Sequence, residues 1–165
     1  MNEIKFNTLS LNPYNTLNND WMLITSGNIT NFNTMTISWG HFGCLWNLPT
    51  VVVYVRPQRY TKKFVDENDI FTLSVFDSKY KKDLAYLGSH SGRDENKLSK
   101  TSLTAIEINN TVGFKEAKYT FVCRKLYQDK IEEKNFLDQK VMDKCYPQKD
   151  FHDLYIAEII KVYEN

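Results

Sequence analysis

Five residues, Val51-Val52-Val53-Tyr54-Val55, constrain this chain most. β-Branched side chains lose rotamer freedom in a helix but pack well on a pleated surface. The run therefore reads as a strand, buried on both sides, and Pro57 ends it. Five further segments read the same way. Residues 21–25 are a short apolar run stopped by the turn cluster Ser26-Gly27-Asn28. Residues 32–39 alternate, with Phe32, Thr34, Thr36 and Ser38 on one face and Met35, Ile37 and Trp39 on the other. Residues 70–76, 119–126 and 154–163 complete the set of six.

Helical signals are fewer. Residues 58–68 carry Tyr60, Phe64 and Val65 at helical spacing, and residues 78–87 do so with Tyr80, Leu84 and Leu87, with Gly88 as the expected C-cap. Residues 94–100 suggest a shorter helix with acids in its first turn. Residues 127–146 read as polar and irregular, with a helical turn expected near 136–144. The expected class is mainly β with short helices, a barrel or sandwich with helical insertions and not a doubly wound α/β fold.

The 165 residues fit one domain, residues 1–165, large enough to bury a core. With 42% hydrophobic and 14% aromatic residues, the chain is too apolar for disorder. Twenty-one Lys and Arg against 20 Asp and Glu leave a net charge of +1, which argues against nucleic acid as a partner. No apolar stretch is long enough for a membrane span, and the N-terminus lacks a basic-then-apolar signal pattern. Cys44, Cys123 and Cys145 are distant from one another and form no CxxC, so they read as reduced thiols of a cytoplasmic protein. No GxGxxG, P-loop, HExxH or GxSxG motif occurs, and His41, His90 and His152 lack metal-ligand spacing.

Three segments carry potential chemistry. Only four of the cations are Arg, and Arg56, Arg59 and Arg93 fall in two of these segments. In Arg56-Pro57-Gln58-Arg59-Tyr60-Thr61-Lys62-Lys63 a strand gives way to a helix, so four cations crowd a helix N-terminus that favours anions. Two readings fit: an anion-binding turn, or a solvated basic turn screened by salt. Gly88-Ser89-His90-Ser91-Gly92-Arg93-Asp94 offers two glycines for close backbone approach and adaptable hydroxyl donors, or else is an ordinary inter-helix loop. Asn33 to Gly40 presents Thr and Ser on one face and Met and Trp on the other, as either a ligand-facing or a half-buried strand edge.

Together and in this order, NTMTISWG (33–40), VRPQRYT (55–61), GSHSGRD (88–94), FKEAKYTFVCRKLY (114–127) and HDLYIAEI (152–159) resemble the flavin reductase-like FMN-binding proteins, including the flavoredoxin type. The resemblance spans residues 21–162. It implies an FMN-binding split β-barrel, a homodimer with FMN near the subunit interface, and a site assembled from these segments. Met35, Thr36, Ser38 and Trp39 would line the isoalloxazine and ribityl side. Arg56, Arg59, Tyr60 and Thr61 would hold the phosphate and ribityl chain. Ser89, His90, Ser91 and Gly92 would approach from another side, with Arg93 and Lys97 as further candidates. His152 resembles a family histidine near the reacting face; a structural or surface histidine is the other reading.

The implied activity is that of an FMN-dependent oxidoreductase passing electrons from NAD(P)H to an acceptor. The alternatives are an electron carrier reduced by a redox partner protein, and a cofactor-free binding module. Where the family has a small residue after Gly40, this chain has His41, followed by Cys44; His41 either restricts the flavin edge or faces solvent.

Overall fold

The computed structural model describes all 165 residues. Ten strands and four short helices follow in the order β1 (Asn2–Ile4), α1 (Pro13–Asn15), β2 (Met22–Asn28), β3 (Asn31–Ile37), β4 (Gly40–Leu45), β5 (Leu48–Val55), α2 (Tyr60–Glu67), β6 (Ile70–Val75), α3 (Lys81–Ser89), β7 (Ala105–Ile108), β8 (Thr111–Phe114), β9 (Tyr119–Lys130), α4 (Gln139–Cys145) and β10 (Asp153–Glu164). The main sheet is antiparallel in the order β3-β2-β6-β9-β10-β5-β4, with β1 added beside the end of β10. Strands β3 and β4 lie at opposite ends of that order, yet only Ser38 and Trp39 separate them in sequence. The Cα atoms of Ile37 and Gly40 can therefore stand at most about 11 Å apart. The sheet has to curl until its two edges nearly meet, and it does so without closing. No helix is long and apolar enough to cross a membrane.

The alternation of residues decides what fills the curl. Met22, Ile24, Met35, Ile37, Val51, Val53, Val55, Phe71, Leu73, Phe121 and Tyr155 point into one buried core. Side chains of opposite parity face outward. Leu23 thus joins a second core with Leu84 and Leu87 of α3, Phe76 and Phe114. Strands β2, β6 and β8 are the ones buried on both faces. In β5, Val52 and Tyr54 stay partly exposed, so the Val51–Val55 run is buried on one face alone.

Several sequence expectations are corrected. Strand β2 runs through Ser26 and Gly27, and the turn comes after it, where Asn28 Oδ1 accepts hydrogen bonds from the Thr30 and Asn31 amides. Gly88 is no C-cap: it lies inside the last turn of α3, where an added Cβ would come within 3.0 Å of the Thr36 Cβ. Strand β9 continues to Lys130, four residues past the expected end, and residues 94–100 form only a 3₁₀ turn, Lys97–Lys100. Strands β1, β4, β7 and β8 were not expected. Two of the hairpins have a readable cause in left-handed turn pairs, Trp46-Asn47 between β4 and β5 and Asn109-Asn110 between β7 and β8.

Gly27 sits at φ 113°, and a Cβ there would lie 2.3 Å from the Asn31 carbonyl oxygen. Gly27→Ala should lower unfolding free energy by roughly 1–3 kcal/mol in urea. Gly43→Ala, with nothing within 4 Å of the added Cβ, is the control and should change it little.

Candidate functional site

The seam between the curled sheet's edges opens into a cavity of about 410 Å³. Its walls are Met35 to Trp39 from β3 and the link, Tyr54 and Arg56 at the end of β5, Gln58 and Arg59 from the following turn, and His152 just before β10. Seven of the sequence-derived candidates, Met35, Thr36, Ser38, Trp39, Arg56, Arg59 and His152, meet here across distances of up to 117 positions in the chain. Thr36 donates its hydroxyl hydrogen to the Leu84 carbonyl, drawing the end of α3 onto β3.

The other eight candidates, Tyr60, Thr61, Ser89, His90, Ser91, Gly92, Arg93 and Lys97, do not line this cavity. Arg59 donates from Nη2 to the Gly88 carbonyl at 2.7 Å. Thr61 is buried and its hydroxyl oxygen accepts from Asn33 Nδ2 at 2.7 Å, while Tyr60 underlies the Arg93 guanidinium at 5.2 Å. Gly92 lies so close to Asn33 and Tyr60 that a side chain there would collide with the Asn33 Oδ1. Ser89 donates to the Ala85 carbonyl, Ser91 accepts from the Arg93 amide, and the His90 ring stacks on Tyr86 at 3.9 Å. Lys97, only 4% exposed, donates to the Leu87 and His90 carbonyls at 2.8 and 3.0 Å.

Charge is unevenly satisfied in this region. Of the four cations at the start of α2, Lys62 pairs with Asp66 and Asp153 at 2.6 Å each, and Lys63 is exposed. Arg56 pairs with Asp150, which also accepts from Gln58 at 2.7 Å; these bonds hold the Asp150 carboxyl below the usual carboxylate range. Arg59 has no carboxylate partner, and neither does Lys97. Burial, then the charge of Arg56, lowers the Arg59 pKa. Burial, then the charge of Arg59, brings Lys97 down to about 8. Helix α2 has no side-chain cap and no acid in its first turn. An uncapped helix N-terminus that begins at a half-buried arginine without a carboxylate partner is chemically an anion receptor.

His152 lies at the other end. It is 7% exposed, and burial, followed by the Arg56 charge, lowers its pKa to about 4. The ring is therefore neutral at pH 7. The Tyr146 hydroxyl stands 2.8 Å from His152 Nδ1, and burial keeps that phenol protonated. A phenol donating to Nδ1 leaves the imidazole proton on Nε2. The Trp39 ring, 42% exposed, covers His152 at 5.0 Å.

Tyr54, Gln58, Tyr146 and Asp150 belong to this site without having been singled out in the sequence. Tyr54 was legible in principle, since it shares its parity with the outward-facing Val52. Asp150 was not, because it lies 94 positions from its partner Arg56. It comes from a long excursion, residues 131–152, closed by an Ile131 amide to His152 carbonyl bond of 2.9 Å. Met142, Tyr146 and Phe151 give that excursion a small core of its own. Arg56 fastens it to the barrel through Asp150, the Cys145 carbonyl at 2.9 Å and the Tyr146 ring at 5.4 Å. His41 is exposed on β4 and meets Tyr54 edge to face at 5.9 Å; Cys44 is exposed further along the same strand.

No curated protein matches this sequence. Solved structures of the same fold include flavoredoxin of Desulfovibrio vulgaris (Miyazaki F), with a TM-score of 0.68 and 21% identity over 88% of this chain and 69% of that one. An FMN-binding domain of a flavin reductase-like enzyme from Shewanella baltica OS155 gives 0.69 at 18% identity, covering 99% of this chain and 76% of that one. A protein with a split barrel domain from Shewanella frigidimarina NCIMB 400 gives 0.69 at 16% identity, covering 88% and 67%. The unclosed sheet is thus a split barrel, and the sequence matches the flavin reductase like domain over residues 14–165. With its cavity at the barrel's seam and three of its five family motifs lining that cavity, the chain belongs to the flavin reductase-like domain family.

Proposed function

We propose that this chain is an FMN-binding oxidoreductase of the flavin reductase type, taking electrons from NAD(P)H and passing them through FMN to an acceptor. The observation that carries the reading is a pair of cations without carboxylate partners: Arg59, at the uncapped start of α2 on the wall of a cavity of about 410 Å³, and the buried Lys97, which is bonded to the end of α3. That donor set fits a phosphate monoester, and a cavity of this size falls in the range of cofactor sites. Arg59, Lys97, Tyr60, Thr61 and the Ser89–Gly92 loop would hold the phosphate end. Met35, Thr36, Ser38, Trp39 and Arg56 would flank the ring end. Bound FMN supplies the hydride and electron chemistry. His152 is the proposed catalytic residue, presenting a neutral Nε2–H donor, and Tyr146 fixes its tautomer.

A second reading, a flavoredoxin-like carrier reduced by a partner protein, is favoured by one observation. The neighbouring cleft that could receive a nicotinamide has no Lys or Arg to meet a dinucleotide's phosphates. The reading also takes the chain as a single domain over residues 1–165, because β1 pairs with β10 through Asn2 and Glu164 and so ties both ends to one sheet. Three free thiols suit the cytoplasm. A homodimer with FMN near its interface would cover Trp39, Leu45 and Trp46, which are 42, 38 and 56% exposed along one edge.

Anaerobic addition of NADH, then NADPH, to FMN-loaded protein should bleach the flavin absorbance. A bound flavin that stays oxidised with both, yet is reduced by a protein donor, selects the carrier. Arg59→Ala should weaken FMN roughly tenfold to a hundredfold while changing riboflavin affinity little. Arg56→Ala, which unfastens the 131–152 excursion, should weaken both ligands alike. Because Lys97 loses its proton near pH 8, FMN affinity should fall as pH rises from 7 to 10, riboflavin affinity should not, and Lys97→Met should flatten the dependence. Sedimentation velocity should give the mass of two chains; a monomer at micromolar concentration would rule out the dimer.

A further inference from the structure

Helix α2 is fastened to the rest of the fold at both ends. Its second turn is bonded to the barrel. The Phe64 carbonyl accepts from the Ser26 hydroxyl at 3.0 Å, the Val65 carbonyl from Lys125 Nζ at 2.6 Å, and Asp66 from the buried Tyr155 hydroxyl at 2.5 Å. Its start reaches three other elements: Arg59 bonds to the end of α3, Thr61 to Asn33 of β3, and Lys62 to Asp153, the first residue of β10. The Lys62 ammonium stands 2.6 Å from both Asp66 and Asp153, and 6.0 Å from the Tyr155 ring. The side chains of Lys62 and Asp153 are only 16 and 14% exposed.

One carboxylate already balances the Lys62 charge. Asp66 does so from within α2, four residues along the same helix. What Asp153 adds is geometry. Its backbone is fixed between Val55 of β5 and Lys130 of β9, so the ion pair sets where the first turn of α2 stands relative to the sheet. We propose that Asp153 is a positioning residue for the anion site, acting through Lys62 to aim the Tyr60 and Thr61 amides and the Arg59 side chain at a bound phosphate group. Neither amide has a backbone acceptor, as is usual for the first donors of a helix. That the phosphate belongs to FMN rests on the flavin reading above; the aiming of the anion site does not.

Positioning and plain electrostatics predict opposite signs. If charge alone mattered, removing the Asp153 carboxylate would strengthen anion binding. The probe for the site itself is inorganic phosphate, titrated into flavin-free full-length protein and followed by ¹⁵N–¹H NMR at the Tyr60 and Thr61 amides. Asp153→Asn should weaken phosphate binding roughly threefold to tenfold. Asp66→Asn removes the same charge but spares the link to β10, and should not weaken it. FMN should lose affinity in the same ratio in Asp153→Asn, riboflavin should not, and the ³¹P resonance of bound FMN should move toward its free position. A general loss of stability would weaken both flavins alike. Asp153→Glu is the second variant, should Asp153→Asn fail to fold; it keeps the charge and lengthens the arm. It should also weaken phosphate, where charge alone predicts no change. If phosphate binds and responds in this way to protein that takes up no FMN, the positioning role stands and the flavin reading falls. Unchanged or tighter phosphate binding in the Asp153 variants, equal losses in Asp66→Asn, equal losses of FMN and riboflavin, or no phosphate binding by the unmodified protein would overturn the proposal.

Discussion

The two-residue link between β3 and β4 is the constraint on which the rest of the structure depends. Ser38 and Trp39 join strands that sit at opposite ends of a seven-strand path. Covalent geometry then forbids an open, flat sheet, because the path must return on itself within about 11 Å. Closure by hydrogen bonds would have erased the gap. Its absence leaves a seam whose lips are the end of β3, the link and the end of β5, and the cavity is that seam.

Two cores stabilise the curl and set the site's depth. The inward parity of each strand fills the barrel, and the outward parity of β2 receives α3. Because Leu84 and Leu87 are anchored there, the end of α3 is delivered to β3, with Thr36 bonded to Leu84 and Gly88 packed against Thr36. The carbonyls at that end form the negative pole of the helix, and Arg59 and Lys97 bond to them. Arg59 also stands at the positive start of α2. The positive charge of these two cations is thus concentrated where one helix ends and another begins, with no carboxylate to discharge it.

At the opposite lip, Asp150 neutralises Arg56, and Tyr146 holds a neutral His152. One end of the cavity is consequently cationic and the other electrically quiet, aromatic and shielded by Trp39. That polarity suits a ligand with an anionic tail and a planar head. It also gives the 131–152 excursion a function in the geometry: it carries the carboxylate that pairs with one arginine and leaves the other without such a partner.

Much of this was legible in the sequence. Periodicity revealed the six principal strands and helices α2 and α3, since a half-buried strand repeats every two residues and a packed helix every three or four. The five motifs named the family, and three of them supplied nine of the ten residues that line the cavity. Short edge and hairpin strands such as β4 and β7 escaped because their cohesion comes from partners rather than from their own apolar pattern. Pairing across the fold was equally invisible: Arg56 and Arg59 look equivalent in VRPQRYT, and only the arrival of Asp150 from 94 positions away separates them. The sequence by itself determined which segments are strands and which residues carry charge, because those follow from local chemistry. The tertiary structure alone decided which charges remain unpaired and where the barrel stays open, because burial and ion pairing depend on what the folded chain brings together.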